Sequence, residues 1–244
     1  MKKALITGAN KSIGFETARQ LLQKGYHVYL GSRNLENGAD AVEKLKAEGL
    51  NEVESVEIDV SNDESVKIAR ARIGEKTDSL DALINNAGIS GGIPQTTDTD
   101  IAVFKEVFDT NLFGVVRVTQ AFMDLLKKSE QPRIVNVTSG LGSLTLHNDP
   151  TWKYYPFKAP IYNSSKAALN MYTIVLAYEL RDTPFKVNAV DPGYTATDFN
   201  HHTGHGTVED AAARLVKYAT VDASGPTGKF FSDDNGPETG ESPW

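Results

Sequence analysis

Short apolar runs alternate along this chain with longer stretches whose apolar residues recur at helical spacing, and this alternation restricts the fold more than any other feature. Ala4-Leu5-Ile6, Val28-Tyr29-Leu30, Ala82-Leu83-Ile84, Ile134-Val135-Asn136-Val137 and Val187-Asn188-Ala189-Val190 read as strands. Val53, Val56 and Ile58 alternate through Ser55 as a further strand, and Lys229-Phe230-Phe231 is a weak one. Phe15, Ala18, Leu21 and Leu22 mark one face of a helix that Gly25 stops. A second helix around Ala39, Val42 and Leu45 ends near Gly49. Long helices are expected over roughly 100–128 and 162–181. Strand and helix in alternation imply parallel strands joined by right-handed crossovers. Helices on both sides explain strands that are apolar throughout. The expected fold is α/β, a doubly wound parallel sheet flanked by helices on both faces, forming a single domain over residues 1–244.

Composition removes several function classes. The 244 residues carry a net charge of −7, whereas a chain that seeks phosphate backbones usually has a basic excess. Nucleic acid and anionic membrane surfaces are therefore not expected as partners. There is no cysteine, which removes disulfides, thiolate metal sites and thiol catalysis together. The N-terminus, MKKALITGAN, lacks the apolar run of a secretory signal, and no window approaches a membrane span. A soluble, cytoplasmic domain is expected. His201, His202 and His205, with Asp198, lie among Gly204 and Gly206 in a loop, and no metal is expected there. Trp152, Tyr154, Tyr155 and Phe157 form an aromatic cluster that packs its own segment or walls a pocket. The run Asp233-Asp234-Asn235-Gly236-Pro237 reads as a loop.

In doubly wound sheets ligands sit at the carboxyl ends of the strands, where strand order reverses. The first strand leads into Thr7-Gly8-Ala9-Asn10-Lys11-Ser12-Ile13-Gly14-Phe15-Glu16, a turn opening directly onto a helix. Gly8 permits the tight turn, Gly14 lets helix and strand pack closely, and the free N–H groups of the new helix suit an anion. By its glycines alone an ordinary strand–helix turn is the lesser alternative. Its pattern resembles the TGxxxGxG fingerprint of the short-chain dehydrogenase/reductase family, with Ser12 where the family has its middle glycine. Later landmarks extend the resemblance. Asp59-Val60 ends the third strand, where the family's aspartate contacts the adenine. Asn85-Asn86-Ala87-Gly88 is similar to the family's NNAG signature, and Asn111 to the asparagine that distorts a helix and helps hold a relay water. Ile134 to Ser139 resembles the strand ending in the catalytic serine, with Thr138 replacing the first serine. Asp191-Pro192-Gly193-Tyr194-Thr195-Ala196-Thr197 resembles the PGxxxT segment against the nicotinamide. The likeness runs from about residue 3 to 231 and implies a Rossmann-type fold and a dinucleotide cofactor.

The family's YxxxK pair has two candidates. With nine tyrosines and 17 lysines, about 0.6 such pairs arise by chance in a chain this long. Tyr154 and Lys158 lie closer to the family's usual distance from Ser139 than do Tyr162 and Lys166. Helical geometry favours the second pair. Tyrosine and lysine must share a helix face at i and i+4, and Pro156 disfavours helix at Tyr155. Tyr162 instead opens the alanine-rich run Lys166-Ala167-Ala168-Leu169. The extra spacing is then an insertion over about 146–160.

The resemblance implies a catalytic set of Asn111, Ser139, Tyr162 and Lys166. Hydride transfer to a carbonyl carbon builds charge on its oxygen, which needs a proton and a hydrogen bond. Tyr162 is the expected acid, assisted by the Lys166 ammonium one turn away, and Ser139 orients the substrate oxygen. Gly8, Asn10, Lys11, Ser12, Ile13, Gly14, Asp59, Val60, Asn86, Ala87, Gly88, Pro192, Gly193, Thr195 and Thr197 are expected to contact the cofactor, together with Tyr162 and Lys166. After the second strand, Leu30-Gly31-Ser32-Arg33-Asn34 has no acid to accept from a ribose hydroxyl. Arg33, Lys11 and Ser32 instead suit a 2′-phosphate, hence NADP(H); as plain surface charges the two cations would say nothing. Similarity to the carbonyl-reductase branch implies reduction of a ketone, aldehyde or quinone. An NADP-linked hydroxysteroid or sugar-alcohol dehydrogenase, or a non-catalytic NADP sensor, are the alternatives. Leu141, Ser143, Trp152, Tyr155, Tyr194 and Phe199 are expected to wall the substrate pocket. The inserted segment leads to the expectation of a monomer or homodimer rather than a tetramer.

Overall fold

A computed structural model describes residues 1–232 and 240–244. The seven strands are β1 (Lys3–Ile6), β2 (His27–Ser32), β3 (Val53–Glu57), β4 (Ala82–Asn85), β5 (Arg133–Val137), β6 (Lys186–Val190) and β7 (Phe230–Phe231). They form one all-parallel sheet in the order β3-β2-β1-β4-β5-β6-β7. The chain leaves β1 toward one edge through β2 and β3, then returns to lay β4 on the other side of β1. Order therefore reverses between β1 and β4, and the two helix layers diverge there to open a crevice above the strand ends.

Most strands are apolar on both faces because each face meets helices; β3, VESVE at the sheet edge, is the exception. In β1, Ala4 and Ile6 point to one layer and Leu5 to the other. The first layer packs α1 (Ser12–Gln23), α2 (Leu35–Ala47) and α7 (Val208–Ala219) through Leu21, Leu45 and Leu215. The second packs α3 (Asp63–Gly74), α5 (Gly114–Leu126) and α6 (Pro160–Glu179) through Ile73, Phe122 and Leu176. Among the described residues no helix is long and apolar enough to cross a membrane.

Several expectations change in detail. The helix foreseen over 100–128 is α4 (Ile101–Phe108) and α5 joined by a wide π turn, Asp109–Phe113. Asp59 and Val60 lie beyond β3, whose ladder ends at Glu57. The helices α3 and α7 are not marked by the apolar pattern, since each buries only one short face. Asn62 and Thr207 nonetheless cap them by accepting from the N–H groups of Ser65 and Asp210. The loop expected over 233–237 lies outside the described residues.

Candidate active site

The carboxyl ends of β1 and β4 are tied to one another. Thr7 Oγ1 accepts from the N–H groups of Asn86 (3.0 Å) and Ala87 (3.1 Å). Asn86 Nδ2 returns to the carbonyls of Thr7 (2.9 Å) and Gly8 (3.0 Å). A Cβ at Gly14 would fall 2.6 Å from both Asn86 Nδ2 and the Gly8 oxygen, so only glycine lets α1 start against this clasp. Gly8 takes φ +63° and Ser12 φ +51°. The family's middle glycine position thus requires a left-handed backbone, and Ser12 holds it at a cost of about 1–2 kcal/mol. Side chains cap α2, α3 and α7, but none caps α1. The first-turn amides of α1, from Ile13 and Gly14, are left for an external acceptor.

Tyr162 and Lys166 stand one turn apart on α6, with the ammonium 5.6 Å from the phenol ring centroid. Tyr154 and Lys158 do not share a helix; residues 151–156 are turns and bends, and α6 begins at Pro160. Lys166 is buried and donates to the Val137 carbonyl at 2.8 Å. The loop after β5 lies directly on α6 because Gly142 has no side chain: a Cβ there would be 2.9 Å from the Lys166 carbonyl carbon. That contact carries Ser139 toward Tyr162, close enough for its hydroxyl to act on the phenol. Asn111 is fully buried in the π turn. Its Nδ2 reaches Ser165 Oγ at 3.0 Å and the Ile89 carbonyl at 2.9 Å, and its Oδ1 accepts from Ile89 N–H. A Cβ at Gly88 would sit 3.3 Å from Asn111 Oδ1 and 3.7 Å from Lys166 Nζ, so four strand and helix ends meet at one place.

Burial raises the Tyr162 phenol well above its ordinary value; the Asp191 carboxylate pushes the same way, and the hydrogen bond with Ser139 opposes both. Burial lowers Lys166 to about 8, with Asp191 acting against it. Asp191, to which the sequence assigned no role, is itself buried. A carboxylate directly after the apolar run Val187–Val190 was the available signal.

The other expected residues divide. Gly193 has φ +81° and shapes the turn after β6. Thr195 is buried, its hydroxyl donating to the carbonyls of Pro192 and Gly193 (3.2 and 3.3 Å). Thr197 starts the short turn Asp198–Asn200, which brings the Phe199 ring to 5.5 Å from that of Tyr162. Asn10 is partly exposed beside Lys11, and Val60 is buried. Asp59 Oδ1 accepts from the N–H and hydroxyl of Ser61. Arg33 is exposed after β2, but Ser32 is turned inward and donates to the Asn34 carbonyl. Lys11 pairs with Asp198 at 2.8 Å, and His202 joins the same carboxylate at 2.9 Å.

Of the expected pocket residues, Ser143 is fully buried, and its hydroxyl accepts from Leu146 N–H. Trp152 is buried edge-on to His147 and Tyr154, while Tyr155 lies under the Lys158 ammonium. Leu141 is partly buried, its carbonyl facing the His147 ring. Tyr194 is exposed and meets Tyr154 at 6.3 Å. Tyr154 therefore joins the segment before α6 to the segment after β6. Among the described residues no group of three or more His, Asp or Glu is placed to hold a metal ion.

Residues 2–207 match the family model for short chain dehydrogenases. A curated relative, a short-chain dehydrogenase of Penicillium roqueforti, is 37% identical over 95% of this chain and 94% of its own. The solved salutaridine reductase of Papaver somniferum superimposes with a TM-score of 0.83 at 30% identity, covering 94% of this chain and 99% of that one. An NADPH-bound carbonyl reductase from chicken fatty liver gives 0.82 at 27% identity over 95% and 96%. The chain belongs to the short-chain dehydrogenase/reductase family. It is an oxidoreductase of that family, whose members act on small molecules with a nicotinamide dinucleotide.

Replacing Ser12 by Gly removes the left-handed penalty and adds the smaller entropic cost of glycine. Ser12→Gly is expected to raise stability by about 0.5–1 kcal/mol, read from urea unfolding. An unchanged or lower midpoint would show that Ser12 carries no strain.

Proposed function

We propose that this protein is an NADPH-dependent carbonyl reductase that converts a ketone, aldehyde or quinone to the alcohol, with Tyr162 as general acid. The convergence of Tyr162, Lys166, Ser139 and Asn111, drawn from three separate segments, carries this reading. Support for the cofactor comes from the bare peptide turn between Gly8 and Gly14, from the uncapped start of α1, and from NADP in related structures.

When bound, the nicotinamide supplies the hydride. The residues of the chain do the rest. Ser139 donates a hydrogen bond to the carbonyl oxygen, fixing its direction as charge grows there. Tyr162 is held protonated by burial, so it arrives in the form that donates, and its proton completes the alcohol. The phenolate left behind faces the Lys166 ammonium, which stabilises it until a solvent proton returns. Asn111 braces Ile89 and Ser165 around this relay. Phe199 supplies apolar surface beside the phenol, and Tyr194, Tyr154 and Trp152 form a separate series of touching rings; such surface suits an uncharged substrate with an apolar body.

Arg33 is the stronger determinant of the 2′-phosphate. Its guanidinium fork grips two oxygens, and it is exposed after β2. Lys11 must first leave Asp198, so part of its gain is lost.

Three outcomes are expected. Tyr162→Phe abolishes carbonyl-dependent NADPH oxidation while Tyr154→Phe retains most of it; inactivity of the Tyr154 variant alone would reverse the assignment. NADPH is preferred over NADH at least about tenfold in kcat/KM, the equivalent of roughly 1.4 kcal/mol. Arg33→Asp swings that ratio toward NADH more than Lys11→Ala lowers it, and a ratio unmoved by Arg33→Asp would refute the phosphate assignment. Finally, the ammonium of Lys166 is the active form and is lost as pH rises through about 8. Reductive kcat/KM should therefore be level near neutrality and fall above that pH; a profile rising across this range would contradict the role of the ammonium.

A further inference from the structure

His147 lies between the loop that carries Ser139 and the start of α6, in the short turn Leu146–Asn148. Its Nε2 is 3.0 Å from the Leu141 carbonyl oxygen, and its Nδ1 is 3.0 Å from the Lys158 ammonium. The same ammonium donates to the His147 carbonyl at 3.0 Å. A carbonyl oxygen only accepts and an ammonium only donates, so these two partners fix the ring as neutral with its proton on Nε2. The Asn163 amide agrees with that polarity. With its oxygen toward Nε2 at 3.1 Å, its nitrogen donates to the Ala159 carbonyl at 3.2 Å. Burial holds the ring below the ordinary histidine range; the Leu141 carbonyl opposes this and the Lys158 ammonium adds to it. The Trp152 ring stands edge-on to the imidazole, with centroids 5.1 Å apart.

The partners of this ring lead to both reacting hydroxyls. Leu141 donates its N–H to Ser139 Oγ at 3.2 Å, which occupies an acceptor position of that hydroxyl and leaves its proton to be given. Asn163 directly follows Tyr162 on α6. His147 therefore spans the two segments that bring Ser139 and Tyr162 together. The turn after Ser139 has further anchors at Gly142. Its N–H donates to the Ser139 carbonyl at 2.8 Å, its carbonyl accepts from Asn170 Nδ2 at 3.3 Å, and its backbone packs on Lys166. These hold the far end of the turn, whereas the Leu141 carbonyl faces His147. Lys158 extends the connection to the segment before α6, because its ammonium also lies 4.1 Å from the centroid of the Tyr155 ring.

We propose that His147 is a positioning residue for Ser139: the neutral imidazole clasps Leu141 to α6 and to Lys158, and so fixes the direction in which the Ser139 hydroxyl meets the substrate. The inference rests on the catalytic roles proposed above for Ser139 and Tyr162. It adds that the segment before α6 acts on the chemical step through one side chain. Reduction needs the carbonyl oxygen within hydrogen-bond reach of both hydroxyls at once. A turn free to shift therefore costs rate in that step and leaves cofactor binding alone.

The test is His147→Phe, which keeps a ring against Trp152 and removes both hydrogen bonds. Exchange of the Leu141 amide hydrogen, followed by NMR, reads the Ser139 contact without turnover. It is expected to quicken about tenfold, the scale of one lost hydrogen bond, while the amides of α6 keep their rates. Carbonyl-dependent kcat should fall by a similar factor with the Kd for NADPH unchanged. Added to Ser139→Ala under single-turnover conditions, His147→Phe should cost little more, since the two act as one unit. In the parent, two-bond proton–nitrogen spectra, with His147→Gln assigning the signal, are expected to show the Nε2–H tautomer at neutral pH. Circular dichroism checks folding. Should His147→Phe be unfolded, Lys158→Met, which removes the group that sets the tautomer, is read in its place. An Nδ1–H tautomer in the parent, Leu141 exchange unchanged in a folded variant, or a full additive loss on Ser139→Ala overturns the inference. If the parent reduces no carbonyl compound, the proposed function fails, while the Leu141 exchange still decides the role of His147.

Discussion

The hydrogen bond from Lys166 to the Val137 carbonyl is the contact around which the rest of the site is built. A lysine ammonium is seldom enclosed, because removing it from water is expensive. Here the enclosure is shared. The β5 carbonyl accepts from the ammonium, the Asp191 charge favours its protonated form, and Gly88 and Gly142 bring backbone close without side chains. The same enclosure that lowers the ammonium toward neutrality raises the phenol of Tyr162. Burial therefore pulls the two groups in opposite senses and favours a protonated phenol beside an ammonium that is easily lost.

Around that centre, local irregularity does specific mechanical work. The π turn at Asp109–Phe113 adds a residue to the helix and drives Asn111 inward, where a regular helix would rotate it away. Its amide then ties the segment after β4 to α6. Left-handed residues occur where the chain must turn sharply beside the crevice: Gly8 and Ser12 on one side, Gly193, His201 and His202 on the other. The Lys11–Asp198 pair joins the two sides. Both partners are exposed, so solvent and salt screen the pair, and it yields readily to a ligand that offers Lys11 a stronger anion.

Much of this was legible in the residue order. Strands apolar on both faces need helices on both faces, so uniform runs such as Ala82–Leu83–Ile84 dictate a doubly wound parallel sheet. Pro156 and the alanine run after Lys166 separate helical from non-helical tyrosines by local sterics alone. The glycines at 8 and 14 mark a close turn because a Cβ there meets neighbouring backbone. These are local rules of period, propensity and excluded volume, and the chain obeys them wherever it lies.

What tertiary structure alone decided are the pairings between distant segments. Ser143 and Ser32 read as polar groups near a site; both are buried, and their hydroxyls bond nearby backbone. Lys11 meets Asp198 across 187 positions of chain, and Tyr154 meets Tyr194 across the crevice mouth. The sequence by itself determined the sheet, the turn over which a dinucleotide lies in this family, and the order of the catalytic residue types. Folding decided which charges are buried and which face one another. Electrostatic energy depends on separation and on exclusion of water, and neither is a property of position along the chain.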